Sequence, residues 1–212
     1  MMERPDKQFA RVVQDLENTG CRFALVGALA LGVRATPRFT KDIDFAVAVS
    51  GNATMHDVLR PLLASKRYEL LKSPEGRLPA SDTQPMVALQ PVGEHRFVVD
   101  LLFNLCGIED KVVQRATPIE VFPGVTVRVA TRADLIAMKT LSLDDATRAQ
   151  DRIDISHLLK RATSTDISRA KRALREMEEH DVGKAYAKDD LVGELREHCR
   201  LYARHLQHEQ SR

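Results

Sequence analysis

The chain has 212 residues, 43% of them hydrophobic, enough for one sizeable core or a domain with a smaller appendage. Aromatic residues make up only 5% and the formal net charge is +2, so an aliphatic core is expected and the overall balance does not mark a nucleic-acid binder. Cys21, Cys106 and Cys199 are too scattered for a disulfide framework or a zinc site, and no uncharged apolar run reaches membrane-spanning length. The charged start MMERPDKQFARVV lacks the apolar stretch of a secretion signal, so a soluble, cytoplasmic protein is expected.

Phe9, Val12, Val13 and Leu16 recur at helical spacing and predict a helix over 6–19, stopped by Gly20. A short buried strand over 22–26 follows, broken by Gly27, and then one or two helical turns over 28–33. The next strand, 43–49, ends at Gly51-Asn52, and Val58, Leu59, Leu62 and Leu63 line an amphipathic helix over 54–65. A strand over 68–71 leads into a loop over 73–84, rich in Pro, Gly and Ser. Segments 86–90 and 96–103 read as an antiparallel pair joined through Pro91-Val92-Gly93-Glu94, and 119–122 with 125–129 as a second pair around Pro123-Gly124.

From Thr131 onward the pattern predicts helices alone. Thr131 and Asp134 have capping-box spacing, starting a helix to about Leu143. A second helix covers about 148–160, Thr163-Ser164-Thr165-Asp166 caps a third that ends near His180, and a last one follows Asp190. Strands first and helices last, without strict βαβ alternation, predict an α/β (α+β) protein: a mixed-sheet core over 1–130 and a C-terminal helical region over 131–212, packed on that core.

Within this frame Asp42-Ile43-Asp44 stands out. Side chains alternate along a strand, so the two acids point to the same side of an otherwise apolar segment. Adjacent like charges beside a buried sheet are costly unless a cation neutralises them, and oxygen-only ligands suit Mg²⁺ or Mn²⁺. The plainer alternative is a solvated strand end. Asp100, inside the apolar run Phe97-Val98-Val99-Asp100-Leu101-Leu102-Phe103, is a third acid of the same kind. If the two strands are neighbours, Asp42, Asp44 and Asp100 converge on a cluster able to bind two ions about 3.5–4 Å apart.

Gly27-Ala28, Arg38-x-Thr40-x-Asp42-Ile43-Asp44 and Val99-Asp100-Leu101, in this order, resemble the polymerase-β-like nucleotidyltransferase superfamily. Within it the chain is similar to the AbiEii/AbiGii toxin type, which adds a helical motif matching Asp134-Leu135-Ile136-Ala137-Met138-Lys139 and an Arg-x-x-Asp-x-x-Asp segment, here Arg148 to Asp154. The resemblance covers about residues 20–160. It implies a nucleotidyltransferase core that moves a nucleoside monophosphate from a nucleoside triphosphate (NTP) to a hydroxyl acceptor. Asp42, Asp44 and Asp100 would hold Mg²⁺ or Mn²⁺; Gly27, Ala28, Arg38, Thr40 and Lys139 would contact the nucleotide, and Asp151 would hold Lys139 or an arginine in place.

The same resemblance implies RNA, a tRNA 3′ end, as acceptor and a cognate antitoxin as partner. An aminoglycoside-like small-molecule acceptor and a catalytically silent binding module are the rival readings. One position departs from the pattern: Gly-Ser or Gly-Gly becomes Gly27-Ala28, which keeps the tight turn and the backbone donors that cup a phosphate but loses a hydroxyl contact.

The residues themselves leave several alternatives open. Lys139 either snorkels to solvent from among Leu135, Ile136, Met138 and Leu141 or reaches phosphates as a point charge. Asp151 and Asp154 share one helix face, either solvated and paired with Arg148 and Arg152 or turned toward a site. Asp134 reads as a cap, and Arg38 and Thr40 as phosphate contacts or turn residues. Arg196, Arg200 and Arg204 form one stripe that, with the basic residues of 160–175, is either a solvated face or a track for an RNA backbone. The seven histidines form no ligand spacing, and Ser65-Lys66 and Ser142 lack the base partner of a nucleophilic hydrolase.

Overall fold

The computed structural model describes residues 5–49, 54–71, 84–93, 97–144 and 149–210. The predicted stop at Gly51-Asn52, the loop over 73–84 apart from Gln84, Glu94 of the turn, and Arg148 lie outside these described residues. The chain forms two compact units: Met1–Val33, Pro37–Leu105 and Glu109–Ala130 make the first, and Arg34–Thr36, Cys106–Ile108 and Thr131–Arg212 the second.

The first unit contains α1 (Pro5–Asn18), β1 (Arg22–Leu25), α2 (Gly27–Arg34, ending in the second unit), β2 (Asp42–Ala48), α3 (Met55–Ala64), β3 (Tyr68–Leu70), β4 (Met86–Pro91), β5 (Val98–Leu102), α4 (Glu109–Arg115), β6 (Thr117–Phe122) and β7 (Val125–Val129). Among the described residues the strands form one seven-stranded sheet, ordered β3-β4-β5-β2-β1-β7-β6. β2 runs parallel to β5 and β1 parallel to β7, while the other neighbours are antiparallel. The sheet is therefore mixed, as the absence of βαβ alternation predicts, and β2 and β5 lie side by side near its centre.

Alternation along β2 divides its two faces. Phe45 is fully buried and stacks on Phe9 of α1 with ring centroids 6.3 Å apart, and Phe23 meets its edge at 5.4 Å. Phe9 also makes an edge contact with Phe122 at 5.3 Å. These few aromatics thus gather under α1, with aliphatic residues around them. Asp42 and Asp44, at the alternate positions, belong to the opposite face of the sheet.

One buried acid ties α1 to β3. Asp15 accepts from Arg67 Nε at 3.1 Å and Nη2 at 2.5 Å, and from the Tyr68 hydroxyl at 2.8 Å. Burial, reinforced by the hydrogen bond to Asp15, pushes the Tyr68 phenol well above its usual value. Two further helices, α4 and in the second unit α8 (Val182–Ala185), have no counterpart in the sequence-based assignment. α4 is seven residues long with one adjacent apolar pair, Val112-Val113, and α8 is a single turn; neither is long enough to show a period.

The rest of the second unit comprises α5 (Arg132–Ser142), α6 (Ala149–Arg161), α7 (Ser164–Glu179) and α9 (Leu191–Gln210). α5 packs against α6, α7 and α9 through Leu135, Ile136, Leu141, Leu158, Leu174 and Leu195, all buried. Thr163 and Asp166 form the reciprocal box at the start of α7, and Arg132 Nη1 donates to Asp166 at 3.0 Å. Burial raises the Asp166 carboxyl, but the Thr163 amide and hydroxyl and the Arg132 guanidinium outweigh it and hold it below its ordinary value.

Because the folded value lies below the unfolded one, this stabilisation is complete above about pH 4 and is lost as pH falls through the folded value. Urea midpoints at pH 7 and pH 3 are expected to show Asp166→Asn destabilised at pH 7, with the gap to wild type narrowing at pH 3.

Candidate active site

The register brings two of the predicted acids together. Asp44 and Asp100 are directly paired positions on parallel β2 and β5, both half-buried, so their side chains leave the sheet on the same face. Asp42 opens β2 opposite Val98, is exposed, and stands two residues further along the same face. That offset amounts to about 6.6 Å of strand rise. Among the described residues no three His, Cys, Asp or Glu side chains are gathered as a ready metal cage. The donor set is nonetheless all oxygen, which suits a hard divalent cation.

Gly27 explains itself at this point. It has φ +62°, in the left-handed region, and a Cβ placed there would overlap the Asp44 carboxylate. The first turn of α2 is thereby pressed against the acid, with the Val26 amide donating to the Asp44 carbonyl at 2.8 Å. Ala28 is buried at 4% exposure, so its methyl belongs to the core and its contribution at the helix start is the backbone N–H. Gly27→Ala is expected to cost about 1–3 kcal/mol in backbone strain and to displace Asp44. A lowered melting temperature together with reduced transfer activity checks this.

The approach to β2 is held by local bonds. Arg38 Nη1 donates to the Phe39 carbonyl at 3.1 Å, and the Asp42 amide donates to Thr40 Oγ1 at 3.1 Å. Both residues thus make local backbone bonds directly beside the acids.

A family model described as the nucleotidyl transferase AbiEii toxin of a type IV toxin–antitoxin system matches residues 11–206. The chain belongs to the AbiEii family. It is a nucleotidyltransferase. No curated protein matches its sequence.

Among solved structures, the AbiEii chain is similar to an antigenic nucleotidyltransferase-like protein from Paracoccidioides brasiliensis, with 19% identity and a TM-score of 0.54 over 88% of this chain and 89% of that one. It also aligns with the antibiotic-resistance factor ANT(2'')-Ia, with 13% identity and a TM-score of 0.44 over 97% and 98% of the two chains. The first of these shows a shared nucleotidyltransferase-like fold.

In the helical unit of this AbiEii protein a second polar cluster forms around Lys139. Its ammonium lies 2.6 Å from Asp151 Oδ1 and 3.0 Å from Asp154 Oδ2. Ser142 donates to Asp151 Oδ2 at 2.8 Å, and Gln150 Nε2 donates to Asp154 Oδ1 at 3.2 Å. The side chains of Lys139, Asp151 and Asp154 are 13%, 5% and 0% exposed. This corrects two of the readings left open by sequence: Lys139 does not snorkel to solvent, and Asp151 and Asp154 are not a solvated face. Arg152 is exposed.

Thr131 is the N-cap of α5, and Asp134 in the first turn supports it, accepting from the Thr131 hydroxyl at 2.6 Å while its amide donates to Thr131 Oγ1 at 3.2 Å. The arginine stripe of α9, Arg196, Arg200 and Arg204, is exposed, with Arg200 3.4 Å from Glu197. Asp154 and Ser142 were not singled out as site residues in the sequence. Asp154 carried a signal, its i,i+3 spacing from Asp151; Ser142 carried none.

Proposed function

We propose that this AbiEii protein is a metal-dependent nucleotidyltransferase that moves a nucleoside monophosphate from a nucleoside triphosphate to a hydroxyl of RNA, at a tRNA 3′ end, and acts as a toxin restrained by a cognate antitoxin. The observation that carries the chemistry is the in-register pair Asp44 and Asp100 on parallel central strands, with Gly27 pressed against Asp44. Two carboxylates held side by side are an all-oxygen ligand pair of the kind a hard divalent cation takes. The family match supports the nucleotide chemistry and the toxin assignment.

Asp42, Asp44 and Asp100 are the residues that would hold Mg²⁺ or Mn²⁺, which when bound neutralises phosphate charge and lowers the pKa of the attacking hydroxyl. The acceptor oxygen attacks the α-phosphorus, the bond to the β-phosphate breaks, and pyrophosphate leaves; Asp100 takes the hydroxyl proton. Gly27 and the amides that open α2 cradle the outgoing phosphates at a helix N-terminus. Asp151 and Asp154 orient the Lys139 ammonium.

Each labelled ribonucleoside triphosphate, incubated with the protein, Mg²⁺ and total RNA, tests the reading. Label on RNA, concentrated in the tRNA fraction, is the expected result. Label on an aminoglycoside panel instead of RNA overturns the acceptor, and label on neither, from a folded protein, overturns the catalytic assignment.

A further inference from the structure

We infer that Phe39 is a stacking platform for a nucleobase of the RNA acceptor, with Lys41 holding the neighbouring phosphate; this rests on the RNA reading above. Phe39 is 82% exposed, the most exposed large hydrophobic side chain among the described residues. An aromatic ring left almost wholly in water is unusual for a chain whose other described phenylalanines are buried or half-buried. Its position is the second point. It stands three residues before Asp42, so at most about 11 Å of chain separates it from the carboxylate strand.

The backbone under the ring is fixed on both sides. Arg38 Nη1 donates to the carbonyl of Phe39 itself, Thr40 braces the Asp42 amide, and the Lys41 carbonyl accepts from the Val98 amide of β5 at 2.9 Å. A ring presented from a pinned segment loses little conformational entropy when a planar group stacks on it. Charge supplies the third point. The exposed Lys41 stands two residues from the ring, and a cation beside an exposed aromatic is what a polyanion with planar bases recognises.

The openness of the surface decides between the two nucleobases in the reaction. A small nucleotide is held in a concave pocket that buries most of it, whereas single-stranded RNA lies on open platforms where bases stack in succession. Phe39 is exposed in the second manner, so the acceptor is its partner rather than the triphosphate.

The test is a fluorescence-anisotropy titration of a 5′-labelled single-stranded RNA oligonucleotide against wild type, Phe39→Ala, Phe39→Trp and Phe39→Leu, alongside KM for the triphosphate. Phe39→Ala is expected to weaken RNA binding about 5- to 150-fold, with Phe39→Trp restoring it, Phe39→Leu failing to, and the triphosphate KM unchanged. Unchanged RNA affinity in Phe39→Ala, rescue by Leu equal to that by Trp, or an effect confined to the triphosphate KM overturns the inference. Absence of RNA binding by the wild type overturns the RNA reading with it, whereas tight binding that ignores Phe39 overturns this inference alone. At 82% exposure the ring contributes little to the fold, and thermal melts of the variants verify that.

Discussion

Asp44→Asn is expected to leave a folded protein whose nucleotide transfer is slower by about 10³-fold or more. Asn has the shape of Asp and removes only its charge. Asp44 is half-buried, pairs in register with Asp100, and lies against Gly27, so its carboxylate has a like charge as its nearest cross-strand neighbour. The same change removes a ligand from the cation site, where charge stabilisation is worth several kcal/mol, and each 1.36 kcal/mol is tenfold in rate. Activity therefore falls by far more than any change in the melting temperature accounts for, which a merely structural acid would not produce. A melting curve and a pyrophosphate-release assay on the same preparation check it, and activity within tenfold of wild type contradicts the role given to Asp44.

The second large effect is on stability. Lys139→Met removes the ammonium that bridges Asp151 and Asp154, 5% and 0% exposed. Breaking a buried pair from one side costs about 3–5 kcal/mol, a large fraction of the total stability of a domain. Ser142 donates to Asp151 and Gln150 to Asp154, and these neutral bonds do not replace the charge of the ammonium. Lys139→Met combined with Asp151→Asn and Asp154→Asn is expected to recover most of that loss, because removing every charge in the cluster is close to neutral. Urea unfolding of the single and triple variants measures both values. A single variant within about 1 kcal/mol of wild type would show the cluster to be solvated after all.

How far the sequence led depends on how local each feature is. The paired acids were legible because alternation along a strand needs only adjacent residues, and the mixed sheet followed from the order of strands and helices. The neighbourhood of β2 and β5, which makes a pair of Asp44 and Asp100, was legible only as a condition, since nothing within a single segment states which strands pair. The parallel contact of β1 with β7 joins residues about a hundred positions apart and leaves no trace in periodicity.

Asp151 and Asp154 show the same limit from the helical side. Their spacing fixes a shared face but not its direction, and two arginines nearby made a solvated face equally reasonable. The partner that settles it, Lys139, sits on another helix. Asp15 was invisible for a related reason: its ligands Arg67 and Tyr68 lie more than fifty residues away. Phe39 could not be distinguished from a buried aromatic, because exposure is a property of the fold and not of the four-residue stretch that carries it.

The account depends on β2 and β5 together forming one cation site, and Mn²⁺ binding followed by electron paramagnetic resonance tests that most directly, since free Mn²⁺ loses its solution signal on binding. Wild type is expected to take up Mn²⁺, and Asp44→Asn and Asp100→Asn, each still folded, are expected to lose that uptake alike. Either variant binding Mn²⁺ as the wild type does would contradict it.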